Sequence, residues 1–348
     1  MEFSNGTCGS CEWYVDKDRV LHIAGMNGEP GELAVWDKQA PWFTIRLYLT
    51  GVVVHPGVKA KSCYHMFDGC RLVKSIDLSG LDTSEATDFR GMFRECNKLE
   101  TLDVSFLNTG AGQYFGSMFD GCVALREVNA ETLDVSEGTD FYAMFRECKA
   151  LTNLDLSAWN VAKAEDFAFM FKDCVKLENL NLTGWMPESV KYLSRMFSGC
   201  DSLEHIDVAG WKTGNVIDLT GMFEGCGSLE EVLCTGWDTS KVECMGCMFD
   251  GCVSLKRVDV SSFTLPEVIA THKMFAGCTS LKTLDLRSFD TSDVMIMEGM
   301  FYATLSLTGL AKTKLTTDGA MYAENMYYAC NLYRDDYTED LKRVVQDA

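Results

Sequence analysis

Nowhere among its 348 residues does this chain hold an uninterrupted apolar run of membrane-spanning length, which for a helix is about 20 residues. Its first residues, Met1-Glu2-Phe3-Ser4-Asn5, have neither the basic start nor the apolar stretch of an export signal. No membrane insertion of the chain is expected, and any export signal of the natural protein is expected to have been removed. Cations are scarce, with 31 Lys and Arg against 51 Asp and Glu and a formal charge of −20. Phosphate backbones are bound by clustered cations, and no basic stripe is present, so nucleic acid is excluded as a partner. The acidity serves chiefly to keep a long molecule soluble; a basic or cation-bridged partner is the weaker reading. Only five histidines occur, His22, His55, His65, His205 and His272, and no carboxylate or nucleophile recurs beside them. A Gly-rich phosphate loop and a G-x-S-x-G turn are also missing. No catalytic residue, cofactor or metal is therefore expected, and an enzyme would need an irregular pocket near the N-terminus. With 47% apolar residues and a mean hydropathy of −0.03, the chain is too evenly mixed to be disordered.

What is present is a period. Eleven copies of one pattern begin at Met66, Met92, Met118, Met144, Met170, Met196, Met222, Met248, Met274, Met300 and Met326, always 26 residues apart, and nearly all read M-F-x-x-C. A fixed period of roughly 20 to 50 residues marks a solenoid, in which each copy buries its apolar face only when its neighbours stack on it. With Met as position 1, position 8 is almost always Leu, as at Leu99, Leu177 and Leu255, and position 11 is always aliphatic, from Ile76 to Leu310. Positions 10 to 14 alternate polar and apolar, as in Thr101-Leu102-Asp103-Val104-Ser105, which is the period of a short strand with one buried face. Every coil has the same sense, so the strands are expected to run parallel.

Ahead of the Met-Phe pair the apolar residues fall three and four apart, as at Val216, Leu219, Met222, Phe223 and Cys226, a spacing that predicts a short helix. The Asp-Thr-Ser runs at 82–84, 238–240 and 290–292 suit a turn and a helix N-cap. The expected fold is an α/β solenoid like a leucine-rich-repeat stack, with a parallel sheet on the concave side and short helices on the convex side. Curvature follows because strands sit roughly 4.8 Å apart and packed helices about 8 to 10 Å. The same spacing bears on the sixteen cysteines. Nine of them, from Cys70 to Cys278, recur at position 5, and Cys330 makes a tenth, the mark of a packing slot rather than of cross-linking. On helices, successive members would lie beyond the ~7 Å between Cα atoms that a disulfide tolerates. The column is expected to be free, buried and unreactive, while Cys8, Cys11, Cys244 and Cys247 are expected to pair or to label.

Residues 1–62 lack the repeat and read as a β-rich cap, with two short strands around Asp16-Lys17-Asp18 and an apolar strand from Leu49 to His55. The solenoid is expected over 63–333 and a capping helix over 334–348, where Tyr337, Leu341, Val344 and Val345 have amphipathic spacing. The run from Ile76 to Ser84, I-D-L-S-G-L-D-T-S, the run L-D-L-R-S-F-D-T-S at 284–292, and the recurrent M-F-x-x-C-x-x-L resemble the BspA-like leucine-rich-repeat surface proteins of bacteria, in the 26-residue variant also found in mycoplasma lipoproteins. The head, with C-G-S-C-E-W at 8–13, D-K-D-R-V-L-H-I at 16–23 and A-P-W at 40–42, is similar to the domain preceding such repeats in gut-associated members. The resemblance implies an exported cell-surface protein used in adhesion or recognition.

Three columns are candidates for function. Position 16 carries Leu81, Leu107 and Leu133, then Trp159, Trp185, Trp211 and Trp237, then Phe263 and Phe289. An aromatic platform for sugars or bases is one reading; a core stack is favoured, because aliphatic residues replace the rings at the ends without disturbing the register. Position 12 holds Asp77, Asp103, Asn129, Asp155, Asn181, Asp207, Leu233, Asp259 and Asp285. A carboxylate ladder for Ca²⁺ or a basic partner is possible, but Asn keeps the acceptor and loses the charge, and stacked carboxylates repel by about 1 kcal/mol even in water, so a structural acceptor is favoured. Position 9 changes from Glu178, Glu204 and Glu230 to Lys256 and Lys282, beside Asn179, His205, Glu231 and Arg257. This is where the face could become selective, against the blander reading of a solvated, self-compensating surface. The candidate ligand-binding residues are Glu178, Asn179, Glu204, His205, Asp207, Glu230, Glu231, Lys256, Arg257 and Asp259. The expected function is non-enzymatic binding, at the cell surface or outside the cell, of a host or neighbouring-cell surface protein or glycan by a monomer; the alternative is a spacer or stalk that presents another domain.

Overall fold

The computed structural model describes residues 4–332; the expected capping helix lies outside them. The chain opens with a hairpin, Asn5–Cys8 against Cys11–Val15, closed by a two-residue turn in which Gly9 has φ +63°. Cys11–Val15 pairs antiparallel with Val20–Gly25, which then pairs parallel with Gly51–Val54. Gly51–Val54 in turn pairs parallel with Ser75–Asp77 of the first repeat. The head is thus continuous with the solenoid sheet and covers its first edge, which would otherwise leave unpaired backbone groups.

From there the coils repeat in register. Position 11 pairs in parallel with position 11 of the next coil in four two-stranded pairs, Leu102 with Val128, Leu154 with Leu180, Val232 with Val258 and Leu284 with Leu310. The odd positions of this strand point inward: Leu102, Leu154 and Leu284 are buried while their neighbours face solvent. A second parallel ladder links Gly31–Glu32, Val58–Lys59 and Leu81–Asp82. A third side is a line of single bridges at position 23, from Asp88 and Tyr114 to Ile296 and Tyr322.

The expected helices do not form. Among the described residues the only helical pieces are single 3₁₀ turns at Met26–Gly28, Phe43–Ile45 and Ala130–Thr132. Two residues of each coil lie in the left-handed region, the one before Met and the fourth of the repeat, as with Gly91 (φ +59°) and Glu95 (φ +55°), or Ala143 (+53°) and Glu147 (+58°). A right-handed helix cannot run through such residues. Alternate amides are moreover committed to the next coil: Phe89 N to Tyr114 O (2.8 Å), Gly91 N to Gly116 O (3.0 Å), Phe93 N to Met118 O (2.9 Å) and Glu95 N to Asp120 O (2.7 Å). The apolar spacing belongs to successive three-residue turns instead, with Met222 N donating to Leu219 O, Cys226 N to Phe223 O and Leu229 N to Cys226 O, each at 3.1 to 3.2 Å. The molecule is a β-solenoid whose coils are joined by backbone hydrogen bonds along the position 23 side and at pairs of position 11 strands, and by buried threonines such as Thr83, Thr213 and Thr239 at the third side.

The core columns are the sequence columns. The position 2 rings stack coil on coil with centroids 5.1 Å (Phe119 to Phe145) to 6.0 Å (Phe67 to Phe93) apart, within the range favoured by offset aromatic pairs. Trp159, Trp185, Trp211 and Trp237 stack in the same way at 6.1 to 6.2 Å. They are almost wholly buried, and three of them donate their indole N–H at 2.9 Å to the preceding coil, at Ala130 O, Leu156 O and Val208 O. The Trp column is core, and the indole N–H groups of Trp159, Trp185 and Trp237 are spent on joining coils.

Candidate binding face

Position 12 shows how an exposed strand residue is used to end the strand. Asp77, Asp103, Asp155, Asn181, Asp207, Asp259 and Asp285 each accept, at 2.9 to 3.1 Å, the backbone N–H two residues ahead, an Asx turn that starts the corner of the coil. Adjacent coils share the acceptors: Asn129 Nδ2 donates to Asp103 (2.7 Å) and Asn181 Nδ2 to Asp155 (3.1 Å). Donation from the following Ser, first of all, lowers the carboxyls of Asp103, Asp155 and Asp259 below their ordinary range. Asp207 and Asp259, two of the expected ligand residues, are therefore partly occupied by their own turns. The Asp-Thr-Ser runs work similarly and cap no helix: Asp82 accepts from Ser84 N (2.9 Å), and buried Thr83 exchanges hydrogen bonds with Asn108 of the next coil (both 2.9 Å).

Three open depressions lie along the sheet face. One, of about 530 Å³, is lined by Asn153, Asp155, Glu178, Asn179, Asn181, Ser202, Glu204 and His205 among others. A second, of about 710 Å³, includes Glu231, Lys256, Arg257 and Asp259. A third, of about 740 Å³, lies nearer the head around Asp103, Glu127, Asn129 and Asp155. Eight of the ten expected residues thus divide between the first two, while Asp207 and Glu230 fall outside these linings. Their electrostatics differ. In the second depression the charges answer one another, with Lys256 Nζ and Glu230 Oε1 at 2.5 Å and Arg257 and Glu231 at 2.5 Å. In the first, Glu178 and Glu204 are exposed and, among the described residues, have no cation within 4.0 Å. An amide rung, Asn179 Nδ2 to Asn153 Oδ1 at 2.7 Å, runs beside them.

The cysteines are all free thiols. From Cys96 to Cys278 each column sulfhydryl donates to the carbonyl of the Phe in the preceding coil, at 3.1 to 3.4 Å, and burial pushes Cys122, Cys174 and Cys226 up to about 12. They are buried as expected, but the helix spacing expected to keep them apart is absent, since strand-spaced coils about 4.8 Å apart do not separate them beyond disulfide reach. Thr304, which stands in the slot of one terminal coil, makes the same bond to Phe275 O at 2.9 Å. Cys8 and Cys11, expected to pair or to label, face each other across the hairpin as buried free thiols; Cys244 and Cys247 are half-buried.

Two clusters escaped sequence reading. Glu224, Cys247 and Asp250 offer ligand atoms within 4.8 Å of one another, yet Arg195 pairs with Glu224 at 3.2 Å and the Lys273 charge bears on Cys247 and Asp250, so the site already holds its own cations. In the head, His22 lies between Asp16 (3.3 Å) and His55 (3.1 Å). The two histidines are 33 residues apart and outside the 26-residue period, so no spacing rule connects them.

The family described as Mycoplasma protein of unknown function, DUF285, matches residues 61–185, 113–234 and 230–340. Among solved structures, a leucine-rich repeat protein from Bacteroides ovatus ATCC 8483 is 16% identical over 98% of this chain and 97% of that one, with a TM-score of 0.45. A leucine-rich cell surface protein from Faecalibacterium prausnitzii A2-165 is 15% identical with the same coverage and a TM-score of 0.41. No curated protein matches.

Proposed function

We propose that this chain, which belongs to the DUF285 family, is a non-enzymatic binding module that recognises a protein or glycan through the sheet face of its solenoid. One observation carries the reading. The side chains that recur from coil to coil, such as Phe171, Cys174, Leu177 and Phe197, are fully buried, whereas those that change, at positions 9 and 10, line the open depressions. A scaffold repeats what it needs for stacking and is free to vary what meets a partner.

The first depression is the principal contact in this reading. Its unmet carboxylates, Glu178 and Glu204, and its amides suit hydroxyl-rich or cationic groups, since carboxylates accept strong hydrogen bonds and amides both donate and accept. The second, with its charges mutually paired, contributes less, because exposed ion pairs are worth little and must be partly broken to serve a partner. A location at the bacterial surface and a partner on a host or neighbouring cell are part of the proposal. What supports them is the resemblance of the repeats to surface proteins; among the described residues no helix is long and apolar enough to cross a membrane.

The test is a screen of the purified chain against arrays of extracellular proteins and glycans, repeated with the combined substitutions Glu178→Gln, Glu204→Gln, His205→Ala and Arg257→Ala. Attachment lost in that variant with its melting temperature kept is the expected result. Attachment at full strength would move recognition off this face, and no attachment by either chain would favour a spacer.

A further inference from the structure

We propose that Leu233 and the aliphatic floor beside it form an anchor site that takes an aliphatic side chain of a partner polypeptide, while a Lys or Arg of the same segment meets Glu204 or Glu178. The inference rests on the sheet face being the binding surface, and it narrows the partner to an extended polypeptide that carries an aliphatic and a cationic residue close together.

The scaffold gives something up at Leu233. Position 12 holds Asp or Asn in all the remaining coils from Asp77 to Asp285, and seven of these residues accept the backbone N–H that starts the corner of the coil. Leucine cannot accept that bond, and the Thr235 hydroxyl donates instead to Asp259 Oδ2 of the next coil at 3.1 Å. The coil is otherwise intact, with Met222, Phe223 and Cys226 fully buried in their columns, so the change is not the drift of a terminal repeat. Nor has the strand turned over: Val232 and Cys234 on either side are buried, Val232 pairs with Val258 in register, and Leu233 is 42% exposed.

One exposed leucine is ordinary on a protein surface, but this one is not alone. It lines the depression of about 710 Å³ together with Val258, Leu284, Leu310 and Ala311. At the far end of that depression the outward positions 10 and 12 are Gly309 and Ala311, too small to cover the row beneath, and Val258 and Leu310 are only half-buried. The charges around the floor answer one another, Lys256 with Glu230 and Arg257 with Glu231. They form a polar rim, and what the depression offers a partner is its apolar floor, an arrangement that marks interaction sites.

Neighbouring charge defines the rest of the segment. His205 bridges Glu231 in parallel, so Glu204 stands one coil from Leu233 and Glu178 two, about 5 and 10 Å along the stack. Both carboxylates lack a cation within 4.0 Å among the described residues. Leu233 lies three residues further along its strand than position 9, about 10 Å. A side chain seated at Leu233 is therefore roughly 11 to 14 Å from a cation on either carboxylate, which an extended segment rising about 3.3 Å per residue spans in three or four residues. Positions 9, 10, 12 and 14 carry no Trp, Tyr or Phe between residues 74 and 313, so no ring stands on this face to stack against a sugar.

The probe is a phage-displayed library of random peptides selected on the purified full chain, with enriched sequences remade as labelled peptides for fluorescence anisotropy. Enriched peptides are expected to share an aliphatic residue three or four positions from a Lys or Arg. Their affinity should fall about 10-fold or more in Leu233→Asp, which removes the burial of one leucine, and in Ala311→Asp, and should be unchanged in Leu72→Ser, which alters a comparably exposed leucine of the first coil. Both Asp variants return position 12 to the residue that other coils carry there, so the melting temperature should hold and a loss of binding is not a loss of fold. Peptides that bind Leu233→Asp as tightly as the native chain would overturn the anchor; if they are lost when Glu178→Gln and Glu204→Gln are combined, the sheet face survives as the binding surface, and if they are kept there too, both readings fall. Failure to enrich any peptide would also overturn the polypeptide partner, leaving the face in place only if glycans attach to it.

Discussion

The Phe–Cys side of the solenoid and its sheet face are made by the same coils at the same spacing, yet one is monotonous and the other is not. On the first, each coil from Cys96 to Cys278 places a ring on a ring and a thiol on a carbonyl; on the second, Glu178 and Glu204 give way to Lys256. A side chain whose partner is its own counterpart in the next coil cannot change alone. One whose partner is water can. The same split predicts where substitutions matter, and the predictions below are ordered by how far they should separate the two sides.

The largest effect is expected in the ring column. Phe171 is stacked 5.7 Å from both Phe145 and Phe197, and Phe171→Ala should cost about 3 to 5 kcal/mol in denaturant unfolding, as truncation of well-packed aromatics does. A cost below 1 kcal/mol would mean that the column is filler. Next is Trp185→Phe, which keeps a ring but removes the indole N–H that ties the coil to Leu156 O, an oxygen that still accepts from Trp159 N at 3.0 Å; the loss of one net hydrogen bond should cost about 0.5 to 1.5 kcal/mol.

The thiol column permits a finer cut. Cys200→Thr and Cys200→Val are close in shape, and only Thr can donate to Phe171 O as Cys200 and Thr304 do to their own carbonyls. The Val variant should be the less stable by about 1 kcal/mol; equal stabilities would show that the slot asks only for volume. In native protein a thiol reagent should reach Cys244 and Cys247 and spare the column, because the thiolate is the reactive form and burial opposes it.

A smaller effect concerns pH. Burial raises Asp140 and lifts Asp166 to about 6, with the Asp140 charge adding to the second. A carboxyl raised in the folded state binds its proton more tightly there than when unfolded, so this pair contributes stability that grows as pH falls from about 6 toward 4. The exposed carboxylates lowered by hydrogen bonds act oppositely and only below about pH 4, and comparison with Asp166→Asn separates this pair from the other groups that titrate between pH 6.5 and 5. Urea midpoints at pH 6.5 and 5 should show the gain in the native chain and a reduced gain in Asp166→Asn. Last, Glu178→Gln and Glu204→Gln should leave stability within about 0.5 kcal/mol, and a larger loss would show that the face is scaffold after all.

Much of this was readable beforehand because a period converts one chain into many aligned copies. The inward strand residues, the core role of the tryptophans and the acceptor role of position 12 all followed from what the column tolerates. The helix did not, because apolar residues three and four apart serve consecutive turns as well as they serve a helix. A signal was available: glycine precedes the column cysteine at Gly69, Gly121, Gly199, Gly225, Gly251 and Gly277, and glycine there marks the left-handed residue that stops a helix. Where Glu95, Glu147 or Asp173 takes that conformation, coil-to-coil hydrogen bonds impose it and the sequence is silent. Of the ten sheet-face residues, eight divide between two separate depressions and two line neither, and the pairing of Glu230 with Lys256 was not read from the sequence.

Because all sides of a coil advance together, the solenoid behaves as a ruler graduated in single coils. One coil is encoded by 26 codons, so a recombination event that duplicates or deletes 78 nucleotides in frame changes the reach of the molecule by one strand spacing, about 4.8 Å, without asking any other coil to adjust. Such exchange can also move a coil bearing its own pair of face residues to a new place in the stack. A lineage carrying this gene can therefore alter both how far its protein extends and what it displays by copying errors alone, with the buried columns setting the only grammar the new coil must obey.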